Sequence, residues 1–228
     1  MNENENGINS TPSLIIERHL LSAKAAELMR KKIILGEFPQ GLRLIEEDLS
    51  TMMGVSRACI REAVMQLENE GLIVRLQGRS REVVTFHKED YTEINMLRLY
   101  IEKLAVATCL KNGTMPLTVL RKKADEITRL VEKKPINSIK LTEADLGFHE
   151  AIIAASGNKR AFQVWNGLKN QIKTLMYQYF TTTPNSPRPD DFANHGRLVD
   201  CFQSDDKTQI DTLLETHILS SLTTIADI

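Results

Sequence analysis

Asp145 and His149 stand four residues apart in Glu143-Ala144-Asp145-Leu146-Gly147-Phe148-His149, a spacing that puts a carboxylate and an imidazole on one face of a helix. Three of the five histidines, His149, His195 and His217, lie in this later part of the chain. His195 falls about ten residues before Ser204-Asp205 and His217 about twelve after it, so two antiparallel final helices would bring both rings to similar heights. One carboxylate with three imidazoles is a donor set for a divalent transition metal: zinc first, with nickel, manganese, cobalt or iron as alternatives. Taken singly, each of these histidines reads better as an ordinary core or surface residue. His19 and His87 are left in that category.

A second group is cationic. Ser56 stands as the N-cap of a helix on which Arg57 and Arg61 share one face, away from the apolar stripe of Ile60, Val64 and Leu67. A helix laid in the major groove offers its first residues to base edges, where arginine bidentate to guanine is the commonest specific contact. Arg75, Arg79 and Arg81 follow in a wing, where they suit phosphates or a neighbouring minor groove. The plainer alternative pairs Arg57 and Arg61 with Glu62 or Asp48 on a solvated surface. Arg98 flanks Leu97 and Ile101 and is read as pointing along a bundle interior toward the carboxylate of a bound effector; its alternative partner is Glu102, four residues on.

The elements that must position these groups follow from hydrophobic spacing and punctuation. Leu21, Ala25, Leu28, Ile33 and Leu35 predict a first helix over about 20–35, closed by Gly36. A short second helix runs from about Ile45 to Met53 and ends at Gly54, and a third runs from Ser56 to Gly71. Leu72-Ile73-Val74 and Glu82-Val83-Val84-Thr85-Phe86 are β-branched runs joined through Gly78, which predict a hairpin. Beyond Tyr91 the alternation disappears. Six helical segments follow, over about 90–111 (with Ile94, Leu97, Ile101, Leu104 and Ala105 inward), 116–134, 138–155, 159–181, 191–203 and 206–226, the last capped by Asp205. The expected architecture is mainly α: a disordered arm over 1–19, a winged helix-turn-helix over 20–88, and an all-α antiparallel bundle over 89–228.

The 228 residues carry 29 Lys+Arg against 30 Asp+Glu, a net charge of -1, with 42% hydrophobic and 5% aromatic residues. That balance excludes disordered polyelectrolytes and non-specific polycations, and the scarcity of sheet formers favours helices. Over 20–88, eleven basic residues face nine acidic ones, so any attraction for DNA rests on a few placed arginines rather than bulk charge. Three unpaired-looking cysteines, Cys59, Cys109 and Cys201, and no apolar run of membrane length give the expectation of a cytoplasmic protein with no membrane partner.

The ordered string of residues 36–72, G-x-F-x-x-G-x-x-L-x-E-x-x-L-x-x-x-x-G-V-S-R-x-x-x-R-E-A-x-x-x-L-E-x-E-G-L, resembles the DNA-binding domain of the GntR superfamily of bacterial transcription regulators. The resemblance implies that Ser56, Arg57 and Arg61 contact an operator. Cys59 stands where that family often has Pro, and Glu47 where some relatives carry Arg. The pattern Asp145-x-x-Phe148-His149 with His195 and His217 resembles the FCD effector domain of FadR-type members, in its VanR-like branch. That implies that the four residues hold a metal, that Arg98 lines an effector pocket, and that the chain dimerises on a pseudo-palindromic operator under control of a small organic acid. Two alternatives are a metal-dependent hydrolase fused to a DNA-binding module and a metal-free acyl-ligand sensor. Against the first, His149-Glu150-Ala151-Ile152-Ile153 lacks the second histidine of H-E-x-x-H. Against the second, all four ligand positions are intact, so the expectation is a regulator and not an enzyme.

Overall fold

The computed structural model describes residues 12–78, 80–182, 192, 194–204 and 206–225. Its first helix, α1 (Pro12–Ile34), begins well before residue 20, so the expected arm over 1–19 is corrected from residue 12 onward, and residues 1–11 lie outside the described residues. The inward face of α1 is also not the one expected. Ala25, Ala26, Met29 and Ile33 are buried, whereas Leu21 and Leu28 are exposed. Small residues at 25 and 26 let α1 approach its neighbour closely, and that close packing outweighs the burial of two leucines.

That neighbour is α3 (Arg57–Asn69). It is preceded by β1 (Arg43–Leu44) and α2 (Glu46–Met53), which ends at Gly54 with φ 65°, a left-handed position that glycine adopts without strain. Ser56 then starts α3, its hydroxyl accepting from the Cys59 N–H at 3.2 Å. Cys59, Ile60, Ala63, Val64 and Leu67 form the buried face, and Arg57 and Arg61 are left outside. The wing is β2 (Ile73–Arg75) paired antiparallel with β3 (Arg81–Val83). A third strand joins it: β1 pairs with β3, Arg43 opposite Glu82 and Leu44 opposite Arg81, giving the order β1-β3-β2. Two residues are too few to show a period, which is why β1 escapes a reading by alternation.

The second unit has six helices among the described residues: α4 (Lys88–Asn112), α5 (Leu117–Glu132), α6 (Ser138–Ala155), α7 (Lys159–Thr182), α8 (Asn194–Ser204) and α9 (Lys207–Ile225). The cap of α9 is Asp206, accepting from the Gln209 N–H at 3.0 Å, one residue beyond the expected Asp205, which lies outside the described residues. The face of α4 is the other correction. Leu97 and Leu104, expected inward, are 52% and 50% exposed, while Asn95, Arg98 and Glu102 are buried beside Ile94, Leu99, Ala105 and Val106. Polar groups inside and leucines outside invert the usual pattern, and such inversions mark functional positions.

The two units touch through α7. Glu70, at the end of α3, takes a bidentate pair from Arg30 of α1 (2.6 and 2.6 Å) and a third bond from Asn170 Nδ2 of α7 at 2.9 Å. Gln178 accepts from Gln40 at 2.7 Å. A Cβ built on Gly71 would come within 2.5 Å of Gln171 Nε2, so α7 packs closely on the backbone that leads from α3 into the wing.

Candidate metal centre and DNA-facing surface

Asp145, His149, His195 and His217 offer one ligand atom each, and these four atoms lie within 4.8 Å of one another, all on buried residues. Two come from α6, one from α8 and one from α9, so the cluster forms only when the bundle closes. His195 Nε2 stands 3.0 Å from Asp145 Oδ1, His149 Nε2 stands 3.9 Å from the same oxygen, and His217 Nε2 stands 3.2 Å from His149 Nε2.

The outer ring nitrogens decide what the inner ones present. His149 Nδ1 lies 2.5 Å from Glu102 Oε2, and His195 Nδ1 lies 3.0 Å from the Phe192 carbonyl. Both partners are pure acceptors, so each Nδ1 donates and each Nε2 is left with a lone pair. Two imidazole lone pairs and a carboxylate oxygen converge without a proton between them. Such a point repels itself unless a cation sits there, and histidines oriented by carboxylate or carbonyl acceptors are the usual form of a transition-metal site. The residues therefore fit a divalent metal.

Electrostatics agree. Burial pushes the His149 pKa down and the Glu102 carboxylate only partly offsets it; burial and the neighbouring imidazoles of His195 and His149 push His217 well below its ordinary value. Both rings are thus neutral ligands at neutral pH. Burial opposes the charge of Asp145, but the adjoining imidazoles of His195 and His149 and the Arg98 guanidinium outweigh it and hold the carboxyl far below the usual range. Glu102 is likewise held ionised by His149 and Arg98 against its own desolvation.

Arg98 is buried, with its Nε 2.9 Å from Glu102 Oε1 and its Nη2 3.4 Å from Asp145 Oδ2. The two readings of this residue, interior anion partner and bond to Glu102, are both present in the geometry. Glu102 is the residue that the sequence reading underrates: it enters there only as a partner for Arg98, and its hold on His149 links two helices. The signal was an acidic residue on the same face of α4 as Arg98. Replacing Glu102 by Gln should weaken metal affinity by about 10- to 100-fold, measured by competition with a chelating dye. Unchanged affinity would mean that the His149 orientation is set by packing alone.

On the other unit, Arg57 and Arg61 project from the start of α3, their side chains 58% and 59% exposed. They pair with neither Glu62 nor Asp48: Arg57 is ion-paired to Glu47, and Arg61 to Glu46 at 3.0 Å. Arg81 is not presented as the sequence reading expects. Its side chain is 11% exposed and braces Glu46 (3.1 Å) and Glu68 (2.6 Å). Arg79 lies outside the described residues. Arg43 and Arg75 border the same concave surface as Arg61 between β1 and the wing, and only Arg75 was anticipated.

A winged helix with an arginine-bearing recognition helix, joined to a helical bundle, defines a DNA-binding transcription regulator. The match to family models is specific: residues 21–83 match the bacterial regulatory proteins of the gntR family, and residues 93–220 match the FCD domain. The chain belongs to the GntR family of regulators with an FCD domain, and the family and the relatives named for it are transcriptional regulators rather than enzymes. Among curated relatives, it is 29% identical over 132 residues to the HTH-type transcriptional regulator YdhC of Bacillus subtilis, a match spanning 58% of either chain. It is 27% identical over 171 residues to the gluconate operon transcriptional repressor of the same organism, covering 72% of this chain and 67% of that one. Among solved structures, Escherichia coli McbR/YncC superposes with a TM-score of 0.73 at 19% identity, covering 91% of this chain and 97% of that one. A GntR regulator from Rhodococcus sp. RHA1 gives 0.71 at 22%, covering 90% and 97%. These likenesses show the fold. No helix among the described residues is long and apolar enough to cross a membrane.

Proposed function

We propose that the chain is a cytoplasmic homodimeric repressor that binds a pseudo-palindromic operator, and that a small carboxylate held at a divalent-metal site controls that binding. The observation that carries the reading is the convergence of the Asp145, His149, His195 and His217 ligand atoms, with the His149 and His195 rings held by acceptors at Nδ1 so that each Nε2 lone pair faces inward.

The buried charges favour an anionic ligand. Asp145 and Glu102 are negative and Arg98 is positive, so this shell is one unit negative before a divalent ion and one unit positive with it. A monoanionic carboxylate restores neutrality in a buried site, where an uncompensated charge is costly. Bound there, the ion supplies Lewis acidity toward a carboxylate oxygen. Arg98 keeps its Nη1 donors for the same carboxylate. The gluconate operon repressor among the relatives fits a carboxylate effector.

On the DNA side, Ser56, Arg57 and Arg61 face the operator, Arg79 is the further contact assigned from sequence alone, and Arg81 contributes by holding Glu46, the partner of Arg61. One short recognition helix reads few base pairs, so two copies are needed. The exposed stripe of Leu97, Tyr100 and Leu104 on α4 is an apolar face suited to a second copy.

One experiment tests the whole. Full-length protein purified without added metal should contain about one transition-metal ion per chain. Its retardation of operator DNA should respond to a small organic acid before but not after the metal is stripped. A metal-free protein with an intact response would rule the sensor reading out.

A further inference from the structure

The DNA-binding unit rests on α7 through neutral side chains. Asn170, Gln171, Thr174 and Gln178 share one face of that helix, whereas Trp165, Ile172 and Tyr179 turn into the bundle core. Toward α6 the same helix uses charge, with Lys169 paired to Glu150 and Lys173 to Glu143. The amide face is covered: Thr174, at its middle, is 1% exposed, and α1 packs against α7.

Two amides on this face make bonds across to the DNA-binding unit. The Glu70 carboxylate takes Arg30 Nη2 and Gln66 Nε2 on Oε1, at 2.6 and 3.1 Å, and Arg30 Nε and Asn170 Nδ2 on Oε2, at 2.6 and 2.9 Å. Four donors fill its four lone-pair sites, and the one that comes from the bundle is Asn170. Gln40 gives its Nε2 to Gln178 Oε1 at 2.7 Å and takes the Phe86 N–H on its Oε1 at 2.9 Å, so one side chain ties α7 to the connection between the units. That connection is the four residues 84–87 between β3 and α4. Phe86 within it packs on the bundle core. Hydrogen bonds are lost when distance or direction fails, so such contacts specify one arrangement of the two units.

We propose that Asn170 and Gln178 determine half-site spacing: by docking the DNA-binding unit on α7 they fix the distance and rotation between the two recognition helices of a dimer. This rests on the dimeric reading above. Both are positioning residues that touch no base. At about 1.5 Å per residue, Glu70 stands about 20 Å along α3 from Ser56, so changes at its bond to Asn170 leave the reading end alone. Four extended residues reach about 14 Å and neighbouring base pairs lie about 3.4 Å apart, so a unit released from α7 could follow a half-site displaced by a base pair or more. A docked unit cannot follow without breaking the bonds to Asn170 and Gln178.

Sites are selected from a random duplex pool with full-length wild type, and the selected sequence is rebuilt with its centre lengthened or shortened by one base pair. That change turns one half-site by about 35° relative to the other. Wild type should lose about tenfold in affinity, the size of one well-made hydrogen bond given up to follow it. Asn170→Asp sets a second carboxylate against Glu70 without changing shape, and Gln178→Leu removes the acceptor of the Gln40 amide. Each should shrink the loss and the two together should bring it to about twofold, with an isolated half-site bound as by wild type and zinc content and dimer formation unchanged. Should the double variant fail to fold, the two single variants carry the test. Gln178→Glu keeps an acceptor for Gln40 and should keep the full loss. A loss undiminished in the variants that break the contacts, or one relaxed as much by Gln178→Glu as by Gln178→Leu, overturns the proposal while the dimeric reading stands. Selection by wild type of lone half-sites, or of paired ones without a fixed spacing, overturns both.

Discussion

Replacing Arg57 and Arg61 together by alanine is expected to abolish sequence-specific operator binding while the protein stays folded. Both side chains are more than half exposed and ion-pair with Glu47 and Glu46 at the surface, so their loss removes nothing from the core. A good bidentate contact from arginine to a base is worth about 1–3 kcal/mol. Two copies in a dimer therefore place about 2–6 kcal/mol on each arginine position, enough to bring specific affinity down toward the non-specific level. Circular dichroism and melting should be unchanged, and the test is operator against scrambled DNA at matched salt. Retained discrimination would remove α3 as the reading helix. The acidic partners make a second, opposite expectation. Arg57 must leave Glu47 to reach DNA, so Glu47→Gln should strengthen binding to operator and scrambled DNA alike, with a steeper salt dependence because a negative charge has left the interface. Arg81 behaves differently from both: nearly buried between Glu46 and Glu68, it acts on the surface by anchoring Glu46.

The architecture was legible wherever apolar spacing and glycine punctuation agreed. Gly54, Ser56 and Gly71 bracket α3, and the six bundle segments fall within a few residues of α4 to α9. The reading failed where a residue's partner, rather than its own type, decides its side. On α1, Ala25 and Ala26 go inward because α3 comes close, and Leu21 and Leu28 stay out. On α4, Arg98 and Glu102 go inward because α6 offers Asp145 and His149, and Leu97 and Leu104 are displaced to the surface. The four candidate ligands were visible as residue types, and the structure brings them together. What held them was not visible. Glu102 and the Phe192 carbonyl fix the ring tautomers from other elements, a relation that spacing within one helix does not encode. The coupling between the two units has the same character: Asn170, Gln171 and Gln178 are unremarkable in sequence, yet they tie α7 to Glu70, Gly71 and Gln40 at the foot of the recognition helix. Because α7 also packs on α6, a ligand that shifts Asp145 and His149 acts on an element already in contact with the DNA-binding unit.

Stripping the metal should lower the melting temperature more than any single surface substitution. An ion present at about a thousand times its dissociation constant stabilises the folded chain by roughly 4 kcal/mol, which for a chain of this size is on the order of 8–16 °C. His149→Ala with His195→Ala should match the stripped protein and show no further loss on chelation. The stripped protein should also become acid-sensitive in a defined window. The folded pKa values of His149 and His217 lie below 6.5, because burial disfavours the charged ring in both. Above about pH 6.5 folded and unfolded chains hold these rings in the same neutral state, so stability is flat. Below it the unfolded rings take up protons that the folded ones refuse, and stability is lost as the pH falls, by at most about 1.4 kcal/mol per pH unit for each ring. Asp145, with its carboxyl held far down, adds a loss of the same sign only in stronger acid, below the ordinary aspartate range. Melting curves of stripped protein from about pH 7.5 to about pH 5.5 should therefore bend downward near pH 6.5. The His149→Ala, His195→Ala protein should bend less, because one of the two shifted rings is gone. A flat profile for stripped wild type would mean that the two rings titrate normally, and with them would go the picture of buried neutral imidazoles poised to bind an ion.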